Sequence, residues 1–141
     1  MNDIYARNFK LLLKIYPDLE TIDEYRRMEN GGGLMPLSLD VLRKNGQKTI
    51  IALSHYFKSP CGDMIPDPDM EIEINWEHKL VFVLAYQDSF GYQPVYTYSP
   101  SGARTGVFPR RQKECNKFLT RWLRNISQSG YEIVAREGVA K

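Results

Sequence analysis

From Met70 to Trp76 apolar and polar residues alternate without interruption, with Glu71, Glu73 and Asn75 set between Met70, Ile72, Ile74 and Trp76. Successive side chains of a strand point to opposite faces, so this pattern describes a strand with one buried and one wet face. Just beyond it, Leu80 to Tyr86 is apolar at both parities. Such a strand is covered on both faces and is expected at the centre of a sheet. Two strands of this kind in succession commit the chain to a sheet with a real core. The remaining segments must then be its neighbours and its cover.

The neighbours can be read from turn chemistry. A strand from about Lys48 to Lys58 is joined to Leu37, Leu39 and Val41 through Asn45-Gly46, the best short-range hairpin signal in the chain. Tyr92 to Tyr98 supplies a further strand after Leu80 to Gln87, and Ser99 to Val107, with Pro100, Gly102 and Gly106, reads as a loop. Asp3 is placed to cap a helix ending near Tyr16, with Tyr5, Phe9, Leu12 and Tyr16 at helical spacing before Pro17. The pattern also admits a second short helix over Leu19 to Met28, broken by Asn30-Gly31-Gly32-Gly33. Pro109 opens a long helix that Gly130 closes, and Tyr131 to Val134 adds a short strand. The expected architecture is a single α+β domain over residues 1–141. It has one or two N-terminal helices, an antiparallel meander of about five strands, and a long amphipathic C-terminal helix packed on the sheet.

At 43% hydrophobic and 26% charged residues the chain has globular composition, which argues against disorder. Leu80 to Tyr86 is its longest charge-free apolar run, too short to span a bilayer, so no membrane role is expected. Cys61 and Cys115 form no C-x-x-C pair and no secretory leader pattern is present. Free thiols in a reducing, cytoplasmic setting are the expectation. The net charge of +2 implies no polyanionic partner by itself. Its distribution is more informative: Asp63 to Glu77 holds six acids and no Lys or Arg, whereas Arg104 to Arg124 holds seven basic residues and the single acid Glu114. An acidic edge and a basic edge should result.

Each edge offers a candidate site. Asp63, Asp67 and Asp69, with His55 on the preceding strand, present hard oxygen donors and one imidazole, which suits a divalent cation able to activate water for hydrolysis. Their spacing matches neither a calcium loop nor a His-x-x-x-His zinc helix. Each residue also has a structural role. Pro66-Asp67-Pro68 and Gly62-Asp63 build turns, and His55 shares strand parity with Ile51, Leu53 and Phe57, where a backbone-bonded histidine is the plainer reading. No cofactor is expected.

On the C-terminal helix Arg110, Lys113, Lys117, Arg121 and Arg124 recur at steps of three or four, opposite Cys115, Phe118, Leu119, Trp122 and Ile126. Such a stripe can follow a phosphate backbone, with affinity falling steeply in salt, or dock an acidic protein surface. The plainer alternative is a solvated face partly paired with the chain's own acids. Tyr92, Tyr96 and Tyr98 could stack on bases or simply pack the sheet; Tyr92 and Tyr96 are placed with the stripe as the partner-binding set. No catalytic nucleophile stands out. There is no G-x-S-x-G elbow, neither cysteine has a histidine at a recognisable spacing, and Gly31 to Gly33 lacks the Lys-Ser/Thr of a P-loop. Glu71 and Glu73 share a strand face, and that repetition suits a solvated surface better than acid–base work.

Four segments, MPLSLDVL, ALSHYF, GDMIPDPDM and FLTRWLRNISQSGY, resemble an uncharacterised bacterial domain family common in plasmid, integrative-element and phage accessory proteins. A looser similarity, through NFKLLLKIYP and NKFLTRWL, links the chain to a second uncharacterised family of short proteobacterial proteins. The second pattern lacks the histidine and aspartates of the loop, which counts against a metal site common to both. The resemblances imply a bacterial or phage setting and bring no activity with them. With no catalytic signature, the expected function is a non-enzymatic protein-interaction module, for instance a counter-defence inhibitor. Nucleic-acid binding through the basic helix is the alternative, and a metal-dependent hydrolase over residues 55–69 the third.

Overall fold

The computed structural model describes residues 3–136 and the backbone of 139–140. Asp3 accepts the Tyr5 N–H at 2.9 Å and caps α1 (Ile4–Ile15), whose Phe9 and Leu12 turn inward. One 3-10 turn, Leu19–Thr21, leads into β1 (Tyr25–Asn30). The second N-terminal helix is therefore not formed. The strand escapes a hydropathy reading because one of its two inward positions is Arg26, 5% exposed and held by Asp18 at 3.0 Å; the other is Met28.

Next come β2 (Leu37–Asn45), β3 (Lys48–Lys58), β4 (Met64–Asn75), β5 (Leu80–Asp88) and β6 (Gly91–Pro94). They pair as an antiparallel meander. Gly46, with φ of +62°, makes the tight β2–β3 connection where Asn45 pairs with Lys48. β7 (Tyr96–Tyr98) and β8 (Arg104–Val107) form a separate hairpin, so the segment read as a loop contains a strand. α2 (Pro109–Gln128) follows and stops at Gly130, φ +74°. β9 (Tyr131–Arg136) and β10 (Val139–Ala140) then return beside β1.

The main sheet has eight strands in the order β10-β9-β1-β2-β3-β4-β5-β6, more than the five expected. β5 lies next to an edge rather than at the centre. Its two-sided burial comes from cover, not from position: α1 and α2 both lie against it, while Leu84 on the other parity looks into a cleft walled by β6 to β8. Leu12, Tyr16, Leu39, Ile51, Ile72, Ile74, Val83, Leu119 and Leu123 fill the layer between helices and sheet, all at or near zero exposure. The α+β architecture, with its meander and packed C-terminal helix, is the one expected.

Candidate functional site

The helical layer is held in register by a buried polar network. Asn8 Nδ2 on α1 donates to the Asn116 carbonyl at 3.1 Å, and Thr120 Oγ1 donates to Asn8 Oδ1 at 2.6 Å. Asn116 Oδ1 accepts the Val83 N–H at 3.2 Å, where β5 has run past the end of β6. Asn116 thus ties α2 to α1 through its main-chain carbonyl and to the open edge of the sheet through its side chain.

That register sets the charged surface. Arg110, Lys113, Lys117, Arg121 and Arg124 are all exposed, and among the described residues none of them forms an ion pair. Arg121 lies 5.9 Å above the Phe118 ring. The stripe is therefore not neutralised by the acids of the described chain. It is also wider than the sequence reading made it. Lys10 and Lys14 stand exposed on α1, and Arg7 joins Lys113, Lys117 and Arg121 around a groove of about 500 Å³ between the two helices. The signal was available: Arg7, Lys10 and Lys14 also recur at steps of three or four, and Ile4–Ile15 contains no acid.

The four metal candidates are not brought together. His55 is 8% exposed, with Nδ1 3.0 Å from the Pro36 carbonyl and its ring against Trp122 (5.3 Å) and Tyr131 (6.1 Å). Asp67 and Pro68 form a bulge opposite it, and Asp67 and His55 line one cavity of about 320 Å³ beneath α2. Asp69 sits on the opposite face of the sheet, where its carboxylate accepts the Tyr56 hydroxyl. Burial first, then Asp69, pushes that hydroxyl up to about 12. Asp63 belongs to the β3–β4 turn, its N–H on Ser59 Oγ at 3.2 Å. Among the described residues no three His, Cys, Asp or Glu side chains gather as metal ligands.

The tyrosines separate. Tyr96 is 7% exposed beneath the Arg104 guanidinium, 4.0 Å from the ring centroid, so its face is not offered to a partner. Tyr92 and Tyr98 are about half exposed. They stand beside a second cleft, of about 620 Å³, on the face of the sheet away from the helices. Glu73 lies in that cleft. It is not the solvated acid that alternation suggests: only 6% exposed, it meets Arg104 Nη2 at 3.4 Å. The β7–β8 hairpin, unread in the sequence, brings that arginine over it.

A family model described as Domain of unknown function (DUF6908) matches residues 7–132. The chain belongs to this family. No curated protein and no solved structure matches it. The DUF6908 match runs from Arg7 on α1 through the whole meander and α2 to the start of β9, so both charged faces lie within it. Among the described residues of this DUF6908 chain, no helix is long and apolar enough to cross a membrane.

Proposed function

We propose that this chain is a non-enzymatic interaction module that docks on an acidic partner protein through the cationic layer of α1 and α2. Its setting would be the cytoplasm of a bacterial or phage accessory system, where occupying the partner's surface is its whole action, as for a counter-defence inhibitor. The observation that supports this reading is the uncompensated layer itself. Five cations on α2, with Lys10 and Lys14 on α1, face solvent without an ion pair among the described residues. Like charges at helical neighbour spacing cost a few tenths of a kcal/mol per pair. A complementary acidic surface relieves that repulsion and speeds encounter. The groove between the helices, with Ile4 and Tyr5 in its wall, adds apolar surface for side chains to enter.

Nucleic acid is the second reading, favoured by the regular three-to-four-residue steps of the cations along α2. The net charge of only +2 and the acids on the opposite face weigh against it as the first. A tagged pull-down from bacterial lysate, split into nuclease-treated and untreated halves, separates the two. A stoichiometric protein should survive nuclease and be lost from the Lys117→Glu/Arg121→Glu variant, whose circular dichroism should match the parent. Unchanged capture by the double variant would remove the helical layer from consideration. Partners lost with nuclease, with uniform salt dependence across sequences, would make nucleic acid the ligand.

A further inference from the structure

The cleft on the other face of the sheet is built differently and stands apart from the helical layer. Its floor is β4, from which Glu71 and Glu73 project at the parity opposite the buried Ile72 and Ile74. One wall is the end of the β2–β3 hairpin. It carries Arg43 and Lys48, both exposed and neither in an ion pair among the described residues. The other wall, from β6 to β8, carries Tyr92 at 52% and Tyr98 at 48% exposure. A volume of about 620 Å³ lies within the range of small-ligand sites.

Glu73 sets the polarity of the floor. It is 6% exposed and meets Arg104 at 3.4 Å, and a carboxylate can accept about four hydrogen bonds. Capacity for further donors therefore remains. Glu71 lies beside Glu73 in the cleft, and burial first, then the Glu71 charge, pushes the Tyr92 hydroxyl up to about 12. The three parts of the cleft constrain the occupant's chemistry. A simple cation would meet Arg43, Lys48 and Arg104; a simple anion would meet the two carboxylates; an apolar molecule would cover Arg43 and Lys48 without giving either a partner. What fits all three is a molecule with hydroxyl donors in the middle, a flat ring at one end and an anion at the other.

We propose that this cleft binds a ribonucleotide, with the ribose hydroxyls on Glu71 and Glu73, the base against Tyr92 and Tyr98, and the phosphate at Arg43 and Lys48. The free nucleotide, rather than a residue of an RNA strand, is the ligand meant. Isothermal titration calorimetry tests it with the 5′-monophosphates of adenosine, guanosine, cytidine and uridine. The matching 2′,3′-dideoxy compounds, ribose 5-phosphate and inorganic phosphate serve as comparisons. At least one ribonucleotide should bind, and its dideoxy counterpart should bind about tenfold or more weakly, the worth of a hydrogen bond to a charged group. Tyr98→Ala should cost roughly fivefold or more through lost stacking. Lys48→Ala should weaken binding and flatten its salt dependence. Both side chains are exposed, so each variant should keep the parent's thermal midpoint. Lys117→Glu/Arg121→Glu should leave nucleotide affinity unchanged, which keeps this test separate from that of the helical layer. The proposal is overturned if no ribonucleotide gives heat at millimolar concentration, or if phosphate or ribose 5-phosphate binds as tightly. Affinity unchanged in both cleft variants, or binding confined to oligoribonucleotides, would overturn it equally.

Discussion

The Asn116 side chain fixes α2 against β5, and Asn116→Ala measures how strongly. The substitution removes the side-chain oxygen on the Val83 N–H, 3.2 Å away, and a donor 2.7 Å from the Gln112 carbonyl. Val83 is fully buried, so its N–H loses its partner in a dry edge, at a cost of about 1–3 kcal/mol. The void left beside α1 adds about 1 kcal/mol. A total of about 2–4 kcal/mol, at ~2.1 cal/mol/K of unfolding entropy per residue, lowers the midpoint of this 141-residue chain by roughly 7–14 °C. Thr120→Val removes the hydroxyl 2.6 Å from Asn8 Oδ1 and should cost about 1–2 kcal/mol. The two side chains hold different groups, and the Asn116 carbonyl that Thr120 also meets survives Asn116→Ala, so the double variant should come close to the sum. Urea unfolding followed by tryptophan fluorescence is the assay, since Trp122 and Trp76 both pack on the core. A loss below about 1 kcal/mol for Asn116→Ala would refute the reasoning. It would mean that water reaches Val83 and that α2 does not seal this edge.

Tyr56 and Tyr86 are held protonated, each up to about 12 from an ordinary 10.0, by burial first and then by Asp69 and Asp88 respectively. The folded state binds these protons more tightly. Their contribution is therefore complete below pH 10 and is lost as pH rises toward about 12. Spectrophotometric titration should show late-ionising tyrosines that become ordinary on unfolding; a single transition for all of them would contradict this. Cys61 is exposed, whereas Cys115 is buried with its thiol pushed up by that burial. A thiol reagent should modify one cysteine quickly and the second only in denaturant, and two fast reactions would mean that α2 opens readily. Thermal midpoints should be unmoved by Mg²⁺, Mn²⁺ or Zn²⁺, because the four loop candidates are spread over two faces of the sheet and a turn. A shift abolished by Asp67→Asn would restore the metal reading.

What the sequence disclosed is what local pattern decides. The alternation from Met70 to Trp76, the Asn45-Gly46 connection and the span from Pro109 to Gly130 each carry their own signal within a few residues. What it hid depends on distant partners. β1 is a strand because β2 and β9 flank it, and its buried Arg26 disguises the alternation. β8 exists only as the mate of β7, in a stretch rich in turn residues. Leu80 to Tyr86 looked central because hydropathy reports cover and not position in the sheet. The same blindness hid Glu73: alternation correctly placed it away from the core, but could not foresee the hairpin that brings Arg104 to it.

The two charged faces also differ in physical kind, and this bears on what each can recognise. The helical cations stand in solvent, where ions screen them beyond about 8 Å at physiological strength. They suit the capture and orientation of a partner that presents many charges, with little discrimination of detail. Arg43 and Lys48 at the cleft's rim share that exposure. Glu73 does not: enclosed by β4 and the β7–β8 hairpin and met by Arg104, it acts at short range in a medium of lower dielectric. There a misplaced donor costs far more than at the surface, which is the condition for discrimination. Broad attraction on one face and close discrimination on the other require no shared residues. A chain of this size can therefore hold a partner through its helices while its sheet senses a small molecule.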